Sequence, residues 1–183
     1  MTVKECILAA GAEMGIADGL EAYFDGSSQE KEADALALLR CFNLVENELA
    51  LDYLPLTAEE SVATETGSVF YSDLKRAAVR ILEVRDKWGN EVEFKLYPEY
   101  LKTQPGEWNI RYSYTPAEKG MDGESDFVLL ASVRMFAYGM AAEYSLAAGL
   151  FEEAAVWDKK YKDAIAATYR SHGSKRIRLR RWV

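Results

Sequence analysis

The residues best suited to catalysis or metal binding are few and far apart in this 183-residue sequence. It contains two cysteines, Cys6 and Cys41, and a single histidine, His172. A structural zinc site needs four ligands, so these three side chains do not complete one. A Ser-His-Asp or Cys-His site would have to use His172. Both cysteines stand in apolar, helix-like surroundings, which predicts two buried free thiols.

A short glycine-containing motif near the N-terminus could suggest nucleotide chemistry. Residues 7–11 read Ile-Leu-Ala-Ala-Gly, which is similar to the opening of sugar nucleotidyltransferases. Those enzymes need a second glycine and a basic residue soon afterwards to hold phosphates. This chain has Glu13 and Asp18 there, and acidic side chains would repel a phosphate. We therefore interpret the motif as an apolar helix face.

The acidic run at residues 122–126, Asp-Gly-Glu-Ser-Asp, resembles the start of an EF-hand loop. The loop requires glycine at its sixth position and glutamate at its twelfth, where this chain has Phe127 and Val133. The run is better suited to capping a helix through Ser125 or Asp126.

Carboxylate pairs are the remaining candidates for acid–base chemistry, for example Glu59 with Glu60, or Glu152 with Glu153. Adjacent acids on one element point apart, whereas a glycosidase-like pair must face across a cleft. No pair is singled out, so the sequence predicts a protein that is not an enzyme and has no metal or cofactor.

Charge is distributed unevenly along the chain, although the net charge is −8. From residue 164 to residue 183 there are six basic residues and no acidic one. The chain before residue 164 therefore carries all 30 acidic side chains but only 16 of the 22 basic ones. An acidic body with a cationic C-terminal segment predicts that this segment contacts a partner.

Residues 175–183, here called the basic tail, have the alternation of a strand, with Arg176, Arg178 and Arg180 on one face and Ile177, Leu179 and Arg181 on the other, largely apolar face. Such a segment could add to a partner's sheet edge, bind nucleic acid, or remain a solvated tail. The two aliphatic residues and Trp182 favour a protein partner. The predicted partner-binding residues are Lys175, Arg176, Ile177, Arg178, Leu179, Arg180, Arg181 and Trp182.

Helices are predicted throughout the N-terminal segment, residues 1–55. Apolar residues at three- and four-residue spacing predict a helix over residues 2–14. A second, longer helix is predicted over residues 28–54, with Ser28 as its N-cap and Pro55 as its stop. Its predicted apolar stripe is Leu36, Leu39, Phe42, Val45 (or Leu44) and Leu49.

The middle of the chain predicts strands, at residues 69–71, 79–84 and 92–96. The last two are expected to form a hairpin around a turn at residues 86–90. Residues 108–114 alternate again and place Trp108, Ile110, Tyr112 and Tyr114 on one face. This pattern predicts a small antiparallel sheet of three or more strands.

Two further helices are predicted, over residues 126–150 and 151–169. The first is so densely apolar that it should be buried on more than one side.

The resulting fold class is α+β: mainly a helical bundle with an inserted small antiparallel β-sheet domain and an extended C-terminal tail. The predicted segments are 1–55 (N-terminal bundle helices), 56–116 (β insertion), 117–170 (C-terminal bundle helices) and 171–183 (docking tail). No stretch approaches the roughly 20 apolar residues that cross a bilayer, and the N-terminus has no signal-peptide pattern. We therefore expect synthesis in the cytoplasm and no membrane partner.

This layout resembles the head–tail connector (adaptor) proteins of tailed bacteriophages. The helical pair at residues 127–169, with Ala-Ala-Glu-Tyr at 141–144 and Trp157, carries part of the likeness. The strand region carries the rest: Arg-Ile-Leu-Glu-Val (80–84), Trp-Gly-Asn-Glu-Val-Glu-Phe (88–94), Tyr-Pro-Glu-Tyr-Leu (97–101) and Pro-Gly-Glu-Trp-Asn-Ile-Arg-Tyr-Ser-Tyr-Thr-Pro (105–116).

The resemblance implies a structural virion protein at the head–tail junction, made in the host cytoplasm and assembled as a ring of about twelve copies. It implies a portal protein above, contacted through the C-terminal tail, and a tail or stopper protein below. DNA would pass through the ring without sequence-specific binding, which suits an acidic body. Trp88, Glu93 and Lys95 on the sheet are weaker candidates for the tail-side contact. The alternative is a small nucleic-acid-binding or regulatory protein that uses the same basic tail.

Overall fold

The computed structural model describes residues 1–172, so the predicted partner-binding residues, 175–182, lie outside the described residues. The fold class is mixed α+β, as predicted, with helices first, strands in the middle and helices again. The chain divides into two compact units. The helical unit comprises Met1–Val45 together with residues 120–172, and the β unit comprises Glu46–Lys119. The predicted division into four segments stays a prediction.

The N-terminal helix is confirmed as α1 (Val3–Met14). Thr2 and Glu5 form a reciprocal capping box, in which the Thr2 side chain accepts from the Glu5 amide and the Glu5 carboxylate accepts from the Thr2 amide. Gly15 ends the helix in the left-handed conformation that glycine adopts without strain. A second, short helix, α2 (Ala17–Phe24), follows.

The long third helix begins later than predicted. It runs as α3 over Glu32–Glu48 and continues as one π-helical turn, Leu49–Tyr53. Ser28 does not cap it, because the Ser28 hydroxyl accepts instead from the amide of Glu30 within the preceding turn. This local bond satisfies the serine before the helix starts.

The predicted apolar stripe of α3 is confirmed at Phe42, Val45 and Leu49, but it is wrong at Leu36 and at the alternative Leu44. Leu36 and Leu44 are 41% and 57% exposed. Phe42 and Val45 are buried as predicted, and Phe42 stacks on Phe136 with ring centroids 5.0 Å apart. The helix also buries Ala35, Leu38 and Cys41, and Leu39 is half-buried.

The helix predicted at residues 126–150 also starts later, as α4 (Val133–Ala147). Its N-cap is Ser132, whose hydroxyl accepts from the Met135 amide at 3.2 Å, so the prediction of Ser125 or Asp126 as the cap is wrong. Burial of α4 on more than one side is confirmed, because nine of its residues are buried. The last helix is α5 (Phe151–His172), close to the predicted span.

The contact of α4 with its neighbours depends on a glycine. A Cβ atom at Gly139 would lie 2.9 and 3.0 Å from the two methyl carbons of Val45 and 3.1 Å from the ring of Tyr161. The absent side chain therefore lets α3 and α5 approach α4 closely.

The β unit holds two three-stranded antiparallel sheets rather than one. The larger sheet has the order β1-β6-β3 and the smaller has the order β2-β5-β4. The strands are β1 (Thr57–Thr64), β2 (Ser68–Phe70), β3 (Ala77–Arg85), β4 (Lys95–Leu96), β5 (Tyr100–Lys102) and β6 (Gly106–Thr115), and a 3₁₀ turn at Tyr71–Asp73 follows β2.

The hairpin predicted between residues 79–84 and 92–96 forms only next to its turn, and the rest of the prediction is wrong. Near the turn, the two segments are joined by the Asp86–Asn90 and Val92–Val84 backbone bonds, both 2.9 Å, and by an Arg85–Glu91 bridge. The second segment then leaves to form β4, which pairs with β5. The long partner of β3 is β6, the central strand of the larger sheet.

The predicted alternation of β6 is confirmed. Ile110, Tyr112 and Tyr114 are buried, and Trp108 is half-buried against the same cluster. Together with Val84 and other residues of β2, β3 and β5, they form the core of this unit. In the described part of the chain, no helix has both the length and the apolar character that a membrane span requires.

Candidate partner-docking surface

Catalytic geometry is not found at the acidic pairs considered from the sequence. Glu59 is exposed and Glu60 is half-buried at successive positions of β1, so their side chains point to opposite faces. Glu152 and Glu153 are both exposed in the first turn of α5. Within residues 1–172, no three His, Cys, Asp or Glu side chains converge as metal ligands would.

The two cysteines are buried free thiols, as predicted. Burial raises the pKa of the Cys41 thiol to about 11, and the negative charge of Glu143 acts in the same direction. A thiol with so high a pKa has little thiolate near neutral pH and is a poor nucleophile.

The turn after β3 presents Trp88, one of the three sheet residues named from the sequence. Its side chain is 75% exposed, and the ammonium of Lys87 lies 4.5 Å from the centroid of its ring. Such exposure is unusual for tryptophan, which is highly buried on average. Tryptophan is also a preferred anchor in protein interfaces, so Trp88 is a candidate contact residue.

The backbone that carries Trp88 is held by Asp86. Its carboxylate accepts from the amides of Trp88 (2.8 Å) and Asn90 (2.9 Å) and from the Asn90 side-chain amide (2.9 Å). The hydrogen bond from the Asn90 side chain, together with those from the turn amides, lowers the pKa of Asp86. Gly89 adopts a positive φ of 87°, which closes the turn. The indole is therefore presented on an ordered turn.

Glu93 and Lys95, the other two named residues, are exposed on the segment that leaves β3 for β4. They line a wide cleft of about 620 Å³, whose other wall includes Lys102 and Thr103. Trp88 does not line this cleft but a separate hollow of about 350 Å³ beside Trp108. The structure therefore does not bring the three named residues into one site.

A feature that the sequence did not indicate lies on β3. Two β-bulges interrupt its pairing with β6 and insert Val79 and Leu82 as extra residues. Their apolar side chains are 52% and 42% exposed, whereas Ile81 and Val84 are buried. The bulges therefore place two aliphatic side chains in solvent on a strand that still contributes to the core.

A groove of about 390 Å³, here called the β3 groove, runs alongside this strand. One wall is formed by residues 78–81 of β3 and the other by residues 96–98, at and after β4. Leu96 and Tyr97 are 57% and 42% exposed, so both walls are largely apolar and open to solvent.

Aromatic side chains extend the β3 groove across the smaller sheet. Tyr97 stacks on Tyr100 with centroids 4.8 Å apart, and Tyr100 lies 5.6 Å from Phe70, which is 45% exposed. The Tyr71 hydroxyl donates to the carbonyls of Tyr97 and Tyr100 at 2.8 and 3.1 Å. The wall beside Tyr97 is thus anchored by hydrogen bonds as well as by stacking.

A group of exposed apolar and aromatic side chains is the kind of feature that marks a protein-binding site. In the β unit, Val79, Leu96 and Tyr97 line the β3 groove, Phe70 is connected to Tyr97 through Tyr100, and Leu82 lines the next hollow along β3. Neither a scan of protein-family models nor a search of the curated proteins finds a match for this sequence.

Proposed function

We propose that this chain is a structural, non-enzymatic subunit of a larger assembly, namely the head–tail connector (adaptor) of a tailed bacteriophage. The chain is made in the host cytoplasm and works in the virion. About twelve copies form a ring, which docks on the portal protein through the basic tail and joins it to a tail or stopper protein. The helices form a bundle, the β unit is an insertion in it, and the tail extends from it.

The observation that carries this proposal is the exposed apolar surface along β3. Two bulges expose the apolar side chains of Val79 and Leu82 to solvent, which does not stabilise a monomer. Exposed apolar side chains of this kind are useful where a partner covers them. The Trp88 turn gives the same unit a second, ordered contact point. The acidic pairs considered from the sequence do not face each other, and the Cys41 thiol is buried with a raised pKa.

The charge distribution is consistent with this role. The chain before residue 164 carries 30 acidic side chains against 16 basic ones. A negative body repels the DNA that a connector ring must let through, and a cationic tail is attracted to an acidic protein surface.

Co-sedimentation with a phage portal protein tests the proposal. The full chain should form a stable complex, and removal of residues 175–183 should abolish it. Trp88→Ala should leave portal binding intact but weaken binding of the tail or stopper protein. A truncated chain that binds the portal as well as the full chain does would contradict the role of the basic tail.

The basic tail also supports the second function, binding to nucleic acid. That function predicts affinity for duplex DNA that falls steeply as salt rises, because phosphate contacts release counterions. The connector role predicts little DNA affinity at physiological salt. A fluorescence anisotropy titration with a DNA duplex at two salt concentrations separates the two functions.

A further inference from the structure

The strand β3 has one hydrogen-bonding edge with no partner in the described part of the chain. It pairs with β6 on one side, and on the other side only its end, at Val84 and Arg85, is bonded to residues 91–92. From Ala77 to Glu83, the second edge makes no backbone hydrogen bond with any described residue. Open edges of this kind accept strands from other chains.

The β3 groove lies beside this free edge, so an added strand would have a place for its side chains. Val79, Leu96 and Tyr97 would take apolar groups. Among the described residues that line the groove, Arg80 alone is charged, but the next hollow along β3 is lined by Glu83 and Glu91.

The surroundings of the groove are acidic. Residues 91–99, which include the groove wall at residues 96–98 and the chain on either side of it, carry three glutamates and one lysine. The whole β unit carries 14 acidic and 9 basic residues. An incoming strand should therefore be basic on one face and apolar on the other.

The sequence of this protein contains one segment with that chemistry. Residues 173–183 hold five basic residues and no acidic one. Within them Ile177 and Leu179 are two positions apart, a spacing that puts both side chains on the same face of a strand, about 7 Å apart. Arg176, Arg178 and Arg180 occupy the other face together with Trp182, and Arg181 follows Leu179 on the first face.

We propose that the free edge of β3 accepts residues 176–182 of a second copy of this chain as an added strand. Main-chain hydrogen bonds to β3 supply the pairing, and Ile177 and Leu179 enter the β3 groove. The proposal rests on the proposed function, since it names a partner for the same tail. The portal and the neighbouring copy are then alternative acceptors of one segment.

Each copy has one donor segment and one acceptor edge, so the contact joins two different surfaces: it can build a chain, close a ring, or close a dimer in which two copies exchange tails. This gives a sharp mixing test. The donor is disabled by Ile177→Asp with Leu179→Asp. The acceptor is disabled by Val79→Arg, which puts bulk and positive charge in the groove.

Sedimentation velocity on the full chain over a range of concentrations measures the association. The wild type should rise above its monomer mass of 20.6 kDa as concentration increases. Each disabled variant should remain a monomer or associate at least about tenfold more weakly. An equimolar mixture of the two variants should associate again, since one has an intact acceptor and the other an intact donor.

The matched controls are Val128→Arg, the same substitution at a residue that is 83% exposed in the helical unit, and the conservative pair Ile177→Val with Leu179→Val. Both should associate like the wild type. A wild type that stays at 20.6 kDa, or a Val79→Arg variant no weaker than Val128→Arg, would overturn the proposal. Portal binding by Val79→Arg should be unimpaired, so loss of self-association is distinguishable from failure of the connector role.

Discussion

Tyr112 joins three parts of the β unit, and its hydroxyl can be removed without changing the packing of its ring. The side chain on β6 is fully buried, and its hydroxyl donates to the carboxylate of Glu60 on β1. The same hydroxyl accepts from the Arg76 amide at 3.3 Å. Glu60 also accepts from the Lys75 amide, at 3.1 and 3.2 Å to its two oxygens. The Tyr112 hydroxyl therefore links β6 to Glu60 on β1 and to Arg76, which directly precedes β3.

The substitution Tyr112→Phe should lower the free energy of unfolding by about 2 kcal/mol, the middle of the range for a hydrogen bond to a charged group, about 1.5–3 kcal/mol. No cavity forms, because the ring stays in place, so the loss comes from hydrogen bonding alone. The Arg76 amide also loses its acceptor, which acts in the same direction. Urea unfolding followed by circular dichroism should show a lower midpoint at an unchanged slope.

The control is Tyr97→Phe, which removes a hydroxyl from a side chain that is 42% exposed and should change stability by less than about 0.5 kcal/mol. Combining Tyr112→Phe with Glu60→Gln should cost less than the sum of the two single changes, because both act on one hydrogen bond. A loss below about 0.5 kcal/mol for Tyr112→Phe, or full additivity with Glu60→Gln, would refute the reasoning.

Three further results are expected. Ser132→Ala should cost about 1 kcal/mol in urea unfolding, because Ser132 caps α4, and an unchanged midpoint would mean that the helix starts elsewhere. Burial raises the pKa values of Tyr112 and Tyr144 to about 12, and their hydrogen bonds to carboxylates act in the same direction. The folded state thus holds these protons more tightly than the unfolded state, whose tyrosines titrate near pH 10. Stability from both groups should be complete below about pH 10 and lost as the pH rises towards 12, and Tyr112→Phe should flatten that fall. Cys6 and Cys41 should not react with a thiol reagent at pH 8 until denaturant is added, when both should react, and rapid labelling of the native protein would contradict their burial.

Helices α1 and α5 and strand β6 could be predicted because their apolar periodicity coincides with the face that packs in the fold. The start of α4 could not, because residues 127–131 are as apolar as the helix itself. Phe127 in that stretch is buried, but Val128 and Leu129 are 83% and 86% exposed, outside any helix. Periodicity alone does not show where an apolar run leaves the helical conformation.

The β3 groove could not be predicted because it depends on long-range pairing. A hairpin from residues 79–84 to 92–96 is the local solution, but β3 pairs with β6, which lies beyond both β4 and β5 in the chain. Among the described residues, this pairing leaves the second edge of β3 without a backbone partner from Ala77 to Glu83. The bulges at Val79 and Leu82 exist only in the register between β3 and β6. Simple alternation along β3 would not predict that both side chains are exposed.

The measurement that tests the proposed function most directly is the native mass of the complex that the full chain forms with an assembled phage portal protein. The account predicts a complex with about twelve copies of this chain per portal ring, which is lost when residues 175–183 are removed. A chain that remains at 20.6 kDa in the presence of the portal, while binding duplex DNA at physiological salt, would contradict it.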